Sequence, residues 1–289
     1  MAIVTKGQIK KGMKKLKKTE QFEEGSLSSI EKVLLFSLEV KRAAKKKISM
    51  EGVFVKDPDT YISRGRRLAD FAKIEIDENF ILDKFDRICE IQATFGGNTS
   101  TAIKKIRKGI ASGKVNFEDI QKHLAKGNIR YFASLAKKMG VEKALFHSTC
   151  LAVYRPLFEI CAESVETRIA DYAWKKGTCP LCGTPAGMAR FEAEVGRRFL
   201  WCPLCSTEWV FKRLQCPSCG NENQKTLRYF YVENEETPYR VDVCDRCKHY
   251  VKTVDERKRI KEEKTVFEIE NMLTLYLDDC AKEEGYRSN

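Results

Sequence analysis

The fold class the sequence predicts is multidomain α plus small β: an α-helical N-terminal domain, two tandem cysteine-rich β ribbons and a C-terminal helix. Three observations predict it. Apolar residues recur at helical spacing from about residue 19 to 176, eight cysteines form four CxxC pairs between Cys179 and Cys247, and a last amphipathic run closes the chain. At 289 residues and 43% hydrophobic content, the chain is long and apolar enough to bury a sizeable core. No stretch approaches the roughly 20 consecutive apolar residues of a membrane span, and MAIVTKGQIKKGMKKLKK has no apolar run beside its lysines. A cytoplasmic location is the expectation.

Seven lysines and no acidic residue in the first eighteen positions, with little apolar periodicity, predict a basic flexible arm over 1–18. Ser28 with Glu31 reads as a capping box, and Ile30, Leu34 and Leu38 then share one face of a helix over about Ser29 to Lys46. Asp57 before Pro58, and Asp77 before Phe80, Leu82, Phe85 and Ile88, mark two further helix starts. Shorter amphipathic pieces follow at 100–112, 117–126 and 128–139. The longest helical run, Val141 to about Tyr172, contains Pro156, which should kink or split it. Cys150 and Cys161 lie on this run eleven residues apart, about 16 Å along the axis, so they read as small buried apolar side chains rather than a redox couple. Cys89 and Cys280 read the same way. The closing helix spans about Lys264 to Glu284, with Phe267, Ile269, Met272, Leu273, Tyr276 and Leu277 on its buried side. These readings divide the chain into an arm (1–18), a helical domain (19–176), two ribbons (177–214 and 215–255) and a C-terminal helix (256–289).

The ribbons are a tandem duplication. Cys179 and Cys182 are answered by Cys202 and Cys205, and Cys216 and Cys219 by Cys244 and Cys247, with a short insertion in the second copy placed around Glu233 to Pro238. Aromatic and β-branched stretches at Arg197–Trp201, Trp209–Phe211, Tyr239–Val243 and Tyr250–Val254 predict strands around the closing knuckles. Two intervening residues let both sulfurs of a knuckle converge on one ion, and a closed tetrahedral site needs two knuckles. Four knuckles allow three pairings. The sequential one makes each copy self-contained, so Cys179, Cys182, Cys202 and Cys205 are expected on one ion and Cys216, Cys219, Cys244 and Cys247 on another. Four sulfurs fit zinc or iron, with zinc the default, and leave His249 no ligand position. Gly183 and Gly220 follow the opening knuckles; Ser206 and Lys248 stand at the closing ones.

The formal net charge of +12 is unevenly placed. Residues 1–178 hold 35 Lys and Arg against 22 Asp and Glu, residues 179–255 hold 11 against 10, and the remainder 7 against 9. Eight thiolates with two divalent ions lower the ribbon region from +1 to about −3, which repels phosphates and argues against a nucleic-acid-binding ribbon protein. A rubredoxin-type electron carrier is the other alternative and requires iron. There is no phosphate-binding glycine loop and no HExxH, and the three histidines, at 123, 147 and 249, form no catalytic constellation. No enzyme activity is expected. Thr207, Glu208, Trp209 and Arg213, beside a closing knuckle, are candidate partner contacts. Trp209 reads first as packing over its own metal site, and Glu208 and Arg213 as facing a partner or pairing with each other.

WKKGTCPLCGTP from Trp174, RRFLWCPLCSTEWVFKRLQCPSCG from Arg197 and VCDRCKHYVKTVD from Val243 resemble the FdhE family, the accessory proteins needed for formate dehydrogenase activity. CSTEW is the distinctive part. Arg246 and Lys248 depart from the family's last knuckle, where an acidic residue and glycine are usual. The resemblance implies a helical N-terminal domain joined to two rubredoxin-like ribbons. It also implies a cytoplasmic protein that binds the catalytic subunit of a molybdenum- or tungsten-containing formate dehydrogenase during maturation, with iron as well as zinc as possible metals.

Overall fold

Two helix starts follow the caps read from the sequence. In the computed structural model, which describes residues 4–19, 21–113, 115–165, 174–231, 237–259 and 264–288, Asp57 caps α3 (Pro58–Ser63) through the Thr60 N–H. Asp77 likewise caps α4 (Glu78–Ala93) through the Phe80 N–H at 2.9 Å. The chain separates into a helical unit, Ile3–Val55 with Ala69–Ser164, and a sheet unit, chiefly Lys56–Leu68 with Val165–Asn289. Among the described residues no helix is long and apolar enough to cross a membrane.

The helical unit begins with a correction. Residues 6–18, expected as a flexible arm, form α1 (Lys6–Lys18), with Thr5 and Gln8 in a reciprocal capping box. Ile9, Met13 and Leu16 lie on one face and are buried, and α1 packs on α2 (Glu24–Ala44). Lysine is a good helix former, so three apolar residues at i, i+4 and i+7 suffice to dock a helix whose other faces are solvated. Helix α2 starts at Glu24, so Ser28 lies inside it and is not its cap. After α5 (Gly97–Ala111), α6 (Phe117–Ala125) and α7 (Ile129–Met139), helix α8 (Lys143–Glu163) supplies the centre of the core. Its Phe146, Cys150, Val153, Leu157, Phe158 and Cys161 are all buried, and Phe158 stacks on Phe71 at 4.9 Å. Pro156 does not split α8: buried on most sides, the helix continues through one missing donor. The part of that run expected beyond Val165, like most of the proposed insertion at Glu233–Pro238, lies outside the described residues.

In the sheet unit the two cysteine copies build one sheet rather than two separate ribbons. Strands β1 (Met188–Phe191), β2 (Arg198–Trp201), β3 (Glu208–Phe211), β4 (Leu227–Phe230), β5 (Tyr239–Cys244) and β6 (His249–Asp255) lie in the order β3-β2-β1-β6-β5-β4. Pairing is antiparallel within each copy, with Leu200 opposite Trp209 and Asp242 opposite Val251. The copies join through a parallel pair, β1 on β6, with Met188 opposite Lys252 and Phe191 opposite Asp255. Each copy runs in the same strand order, so they are laid head to tail. One sheet face is covered at the C-terminus, where Val241, Val243 and Tyr250 pack with Leu277, Ala281 and Tyr286, and Met188, Trp201 and Val254 with Phe267.

The closing helix is two helices, α9 (Phe267–Leu273) and α10 (Leu275–Glu283), broken at buried Thr274. Lys252 of β6 causes the break to be tolerated. Its buried ammonium donates to the carbonyls of Asn271 and Thr274, both at 3.2 Å, and to Asp278 at 2.7 Å. A cation at orphaned helix carbonyls satisfies groups that would otherwise be buried without partners.

Candidate metal centres

Each CxxC knuckle turns through the same backbone contact. The N–H of residue 183, 206, 220 or 248 donates to the carbonyl of the first cysteine of its knuckle, at 2.8–3.0 Å. The turn ends at positive φ: Gly183 at 82° and Gly220 at 71°, but also Ser206 and Lys248, both at 57°. The closing knuckles therefore adopt the left-handed conformation without glycine, at the steric cost that a Cβ carries there.

Four knuckles meet in sequential pairs. The Sγ atoms of Cys179, Cys182, Cys202 and Cys205 lie within 4.8 Å of one another, as do those of Cys216, Cys219, Cys244 and Cys247. Sulfur separations are 3.5 Å for Cys182–Cys202, 3.7 Å for Cys179–Cys205, 3.7 Å for Cys216–Cys247 and 3.8 Å for Cys219–Cys244. Sulfurs about 2.3 Å from a tetrahedral ion are about 3.8 Å apart, so both clusters fit such an ion. All four positions are taken by sulfur, which suits structural binding or electron transfer and leaves none open for substrate.

A position five residues after the first cysteine supports the sulfurs, a signal the sequence carried in its repeat and the knuckle reading missed. Thr184 Oγ1 lies 3.3 Å from Cys182 Sγ, Thr207 Oγ1 lies 3.1 Å from Cys205 Sγ, and Asn221 Nδ2 donates to Cys244 Sγ at 3.5 Å. His249 holds this place in the fourth knuckle, its Nδ1 3.0 Å from the Cys247 carbonyl, outside the sulfur cluster. Without metal, each cluster favours a thiolate. Burial opposes ionisation of Cys182, but hydrogen bonds from Cys179, Cys202 and Cys205 outweigh it and hold this thiol well below the usual range. At Cys244 burial is likewise overcome, by the backbone N–H groups of Cys247 and Arg246 and the Asn221 amide, and the thiol falls to about 7.

The two centres differ in shelter. All four cysteines of the first are buried, whereas in the second Cys219 is exposed and Cys247 half-buried. The first is also braced by a segment distant in sequence: Leu68 N–H donates to the Pro180 carbonyl at 2.9 Å, and Arg67 Nη1 to the Cys182 carbonyl at 3.4 Å. Trp209 is buried against this centre's flank, its Nε1 donating to the Lys176 carbonyl at 3.1 Å, and Thr207 is buried too. Glu208 does not pair with Arg213. Arg190 takes it at 2.6 Å and Glu256 at 2.9 Å, while Arg213 is exposed with its guanidinium over the Phe191 ring.

The model of the FdhE central domain matches residues 178–213, the first cysteine copy. Protein FdhE homolog of Aquifex aeolicus (strain VF5) is 28% identical over 181 residues, 62% of this chain and 62% of that protein. Protein FdhE of Escherichia coli O1:K1 is 27% identical over 202 residues, 69% of this chain and 60% of that protein. The matched part thus spans about three fifths of those relatives' length. The crystal structure of the FdhE protein from Pseudomonas aeruginosa shares the fold, with a TM-score of 0.65 at 15% identity, covering 98% of this chain and 92% of that one. The central-domain match thus rests on the first CxxC copy, and along nearly its whole length this chain is similar in fold to an FdhE protein.

Proposed function

We propose that this chain is a cytoplasmic accessory protein required for formate dehydrogenase activity. It holds two metal ions, zinc by default and iron as the alternative, and binds the catalytic subunit of the molybdenum- or tungsten-containing enzyme during maturation. It is not itself a catalyst. The observation that carries the reading is the pair of closed four-sulfur clusters built into one sheet in a chain similar to FdhE proteins. Closed clusters leave backbone and side chains around them preorganised, which lowers the entropy lost when a partner docks. Thr207 and Trp209 contribute by fixing β3. The contact itself falls on its outer edge, where Arg213 is exposed beside Val210 and Leu214, 49% and 53% exposed. Glu208 positions this edge through Arg190.

Capture of the tagged chain from its own cytoplasm, with bound proteins identified and metals quantified in the same sample, tests this. A formate dehydrogenase catalytic subunit and two ions per chain are expected. Replacing Glu208 and Arg213 with alanine should weaken that capture while both ions stay. Retention of nucleic acid in place of the enzyme subunit, with steep salt dependence, would overturn the reading.

A further inference from the structure

The second cysteine copy, with Phe191 of β1 and Arg198 of β2, lines an open cavity of about 400 Å³ beside the second metal centre. Five arginines line it: Arg228 at the edge is paired with Asp245, and three of the others surround one ring. The guanidinium carbons of Arg213, Arg240 and Arg257 lie 5.3, 4.5 and 5.4 Å from the Phe191 centroid. Cations this close together repel unless carboxylates or an external anion compensate them. Two carboxylates face the cavity. Asp255 takes Arg257 in a two-bond fork, and Asp242 is shared between Arg198 at 3.3 Å and Arg240 at 2.9 Å. Arg213 has no carboxylate partner among the described residues. Lys258 adds a further positive charge over the Tyr231 ring.

Among the described residues, the lining is short of acceptors as well as of negative charge. The Nε atoms of Arg198 and Arg240 are buried without a hydrogen-bond partner among the described residues, although Arg198 is only 3% exposed. The Nη1 atoms of Arg213 and Arg257 converge over Gly196, each within 3.5 Å of the point where a Cβ would stand. No side chain at 196 separates them. Cys216 and Cys244 also line the cavity, but the negative charge of their centre is held by backbone N–H groups of its own knuckles. At the rim, Tyr229 packs on Arg240 and remains 56% exposed, offering a ring edge and face to a planar group.

We propose that this cavity binds an organic phosphate, with the phosphate group between Arg213 and Arg257 and a planar ring against Tyr229. Guanidinium forks match phosphate oxygens, a dianion balances the uncompensated arginines, and the volume is that of a nucleotide-sized ligand rather than a chain segment. The inference shares Arg213 with the client reading, but its test contains no client protein, so the two fail separately.

The test is calorimetric titration of the full-length, metal-loaded chain at low ionic strength with ADP, pyrophosphate and adenosine. Binding of ADP, displacement by pyrophosphate and no binding of adenosine are expected. Arg213→Gln should weaken ADP about tenfold, the size of one charge-assisted contact, and Arg213→Lys less. Arg213 is exposed, so metal content and melting temperature should not change. Absence of binding by both ADP and pyrophosphate overturns the proposal. So does ADP binding that Arg213→Gln leaves unchanged, which places it elsewhere. Binding of a glutamate-rich peptide, but not of ADP, would assign the cavity to an acidic protein segment instead.

Discussion

Gly177 has no room for a side chain: a Cβ there would stand 1.9 Å from the Pro217 carbonyl oxygen. Because the obstacle is backbone of the second cysteine copy, neither side can yield by a rotamer change. Gly177→Ala should cost at least about 2 kcal/mol in chemical denaturation of the metal-loaded chain, whereas Gly25→Ala, in a helix with nothing nearby, should be neutral or stabilising. The cysteines outside the clusters make a second case. Burial pushes the Cys89 and Cys161 thiols up to about 12 and raises Cys150 well above the ordinary thiol value. A folded-state value above the unfolded one means that their contribution to stability is complete below about pH 9 and is lost as pH rises from there to about 12. At pH near 8 an alkylating agent should therefore spare all three until the chain unfolds. Modification located by mass spectrometry checks this, with half-buried Cys280 as the expected first site in the metal-loaded protein.

At the scale of elements, α1 is an integral helix, so Leu16→Ala, emptying a fully buried position, should cost about 2–5 kcal/mol in the unfolding of the helical unit. An unchanged denaturation midpoint would return residues 6–18 to the status of a solvated arm. That helix shows where sequence reading stops. Its Ile9, Met13 and Leu16 are spaced for a helix, but their burial depends on a face of α2 that composition does not reveal. The caps at Asp57 and Asp77 were legible because a cap is a contact over three residues. The grouping of cysteines was legible for the same reason, since a knuckle is closed by covalent spacing. The break at Thr274 was not, because Lys252 reaches it from another element, and neither β1 nor β4 stands out by composition. The pairing of Glu208 was not legible either: it lies five positions before Arg213 in sequence, yet its ion-pair partner Arg190 is 18 positions away and is shared with Glu256.

Across the whole molecule, the parallel pair β1–β6 makes one sheet carry both centres while the helical unit keeps a core of its own. The exposed Cys219 gives a chelator a path to the second ion that the four buried sulfurs of the first deny. Release should accordingly occur in two phases, one ion per phase, with the second centre emptying first; a single phase for both ions would show that shelter does not set lability. Cys219→Ser carries the argument further. Removing one thiolate should lower the metal content from two ions to one and loosen the second copy, because binding and folding are coupled in such small modules. If the copies were independent ribbons, the remaining ion would leave at its wild-type rate. In one sheet, β6 loses order beside Met188–Phe191 and the Gly177–Pro217 approach opens, so the first ion should leave faster in the variant. The helical signal in circular dichroism should meanwhile persist, since α8 packs with α2, α4, α6 and α7 inside the helical unit, around a buried core that includes Phe146, Val153 and Phe158. Chelator kinetics and circular dichroism on the same sample separate these outcomes: unchanged release of the first ion would mean that the parallel pair transmits nothing, and collapse of the helical signal would mean that the helical unit does not fold without the metal-bearing sheet.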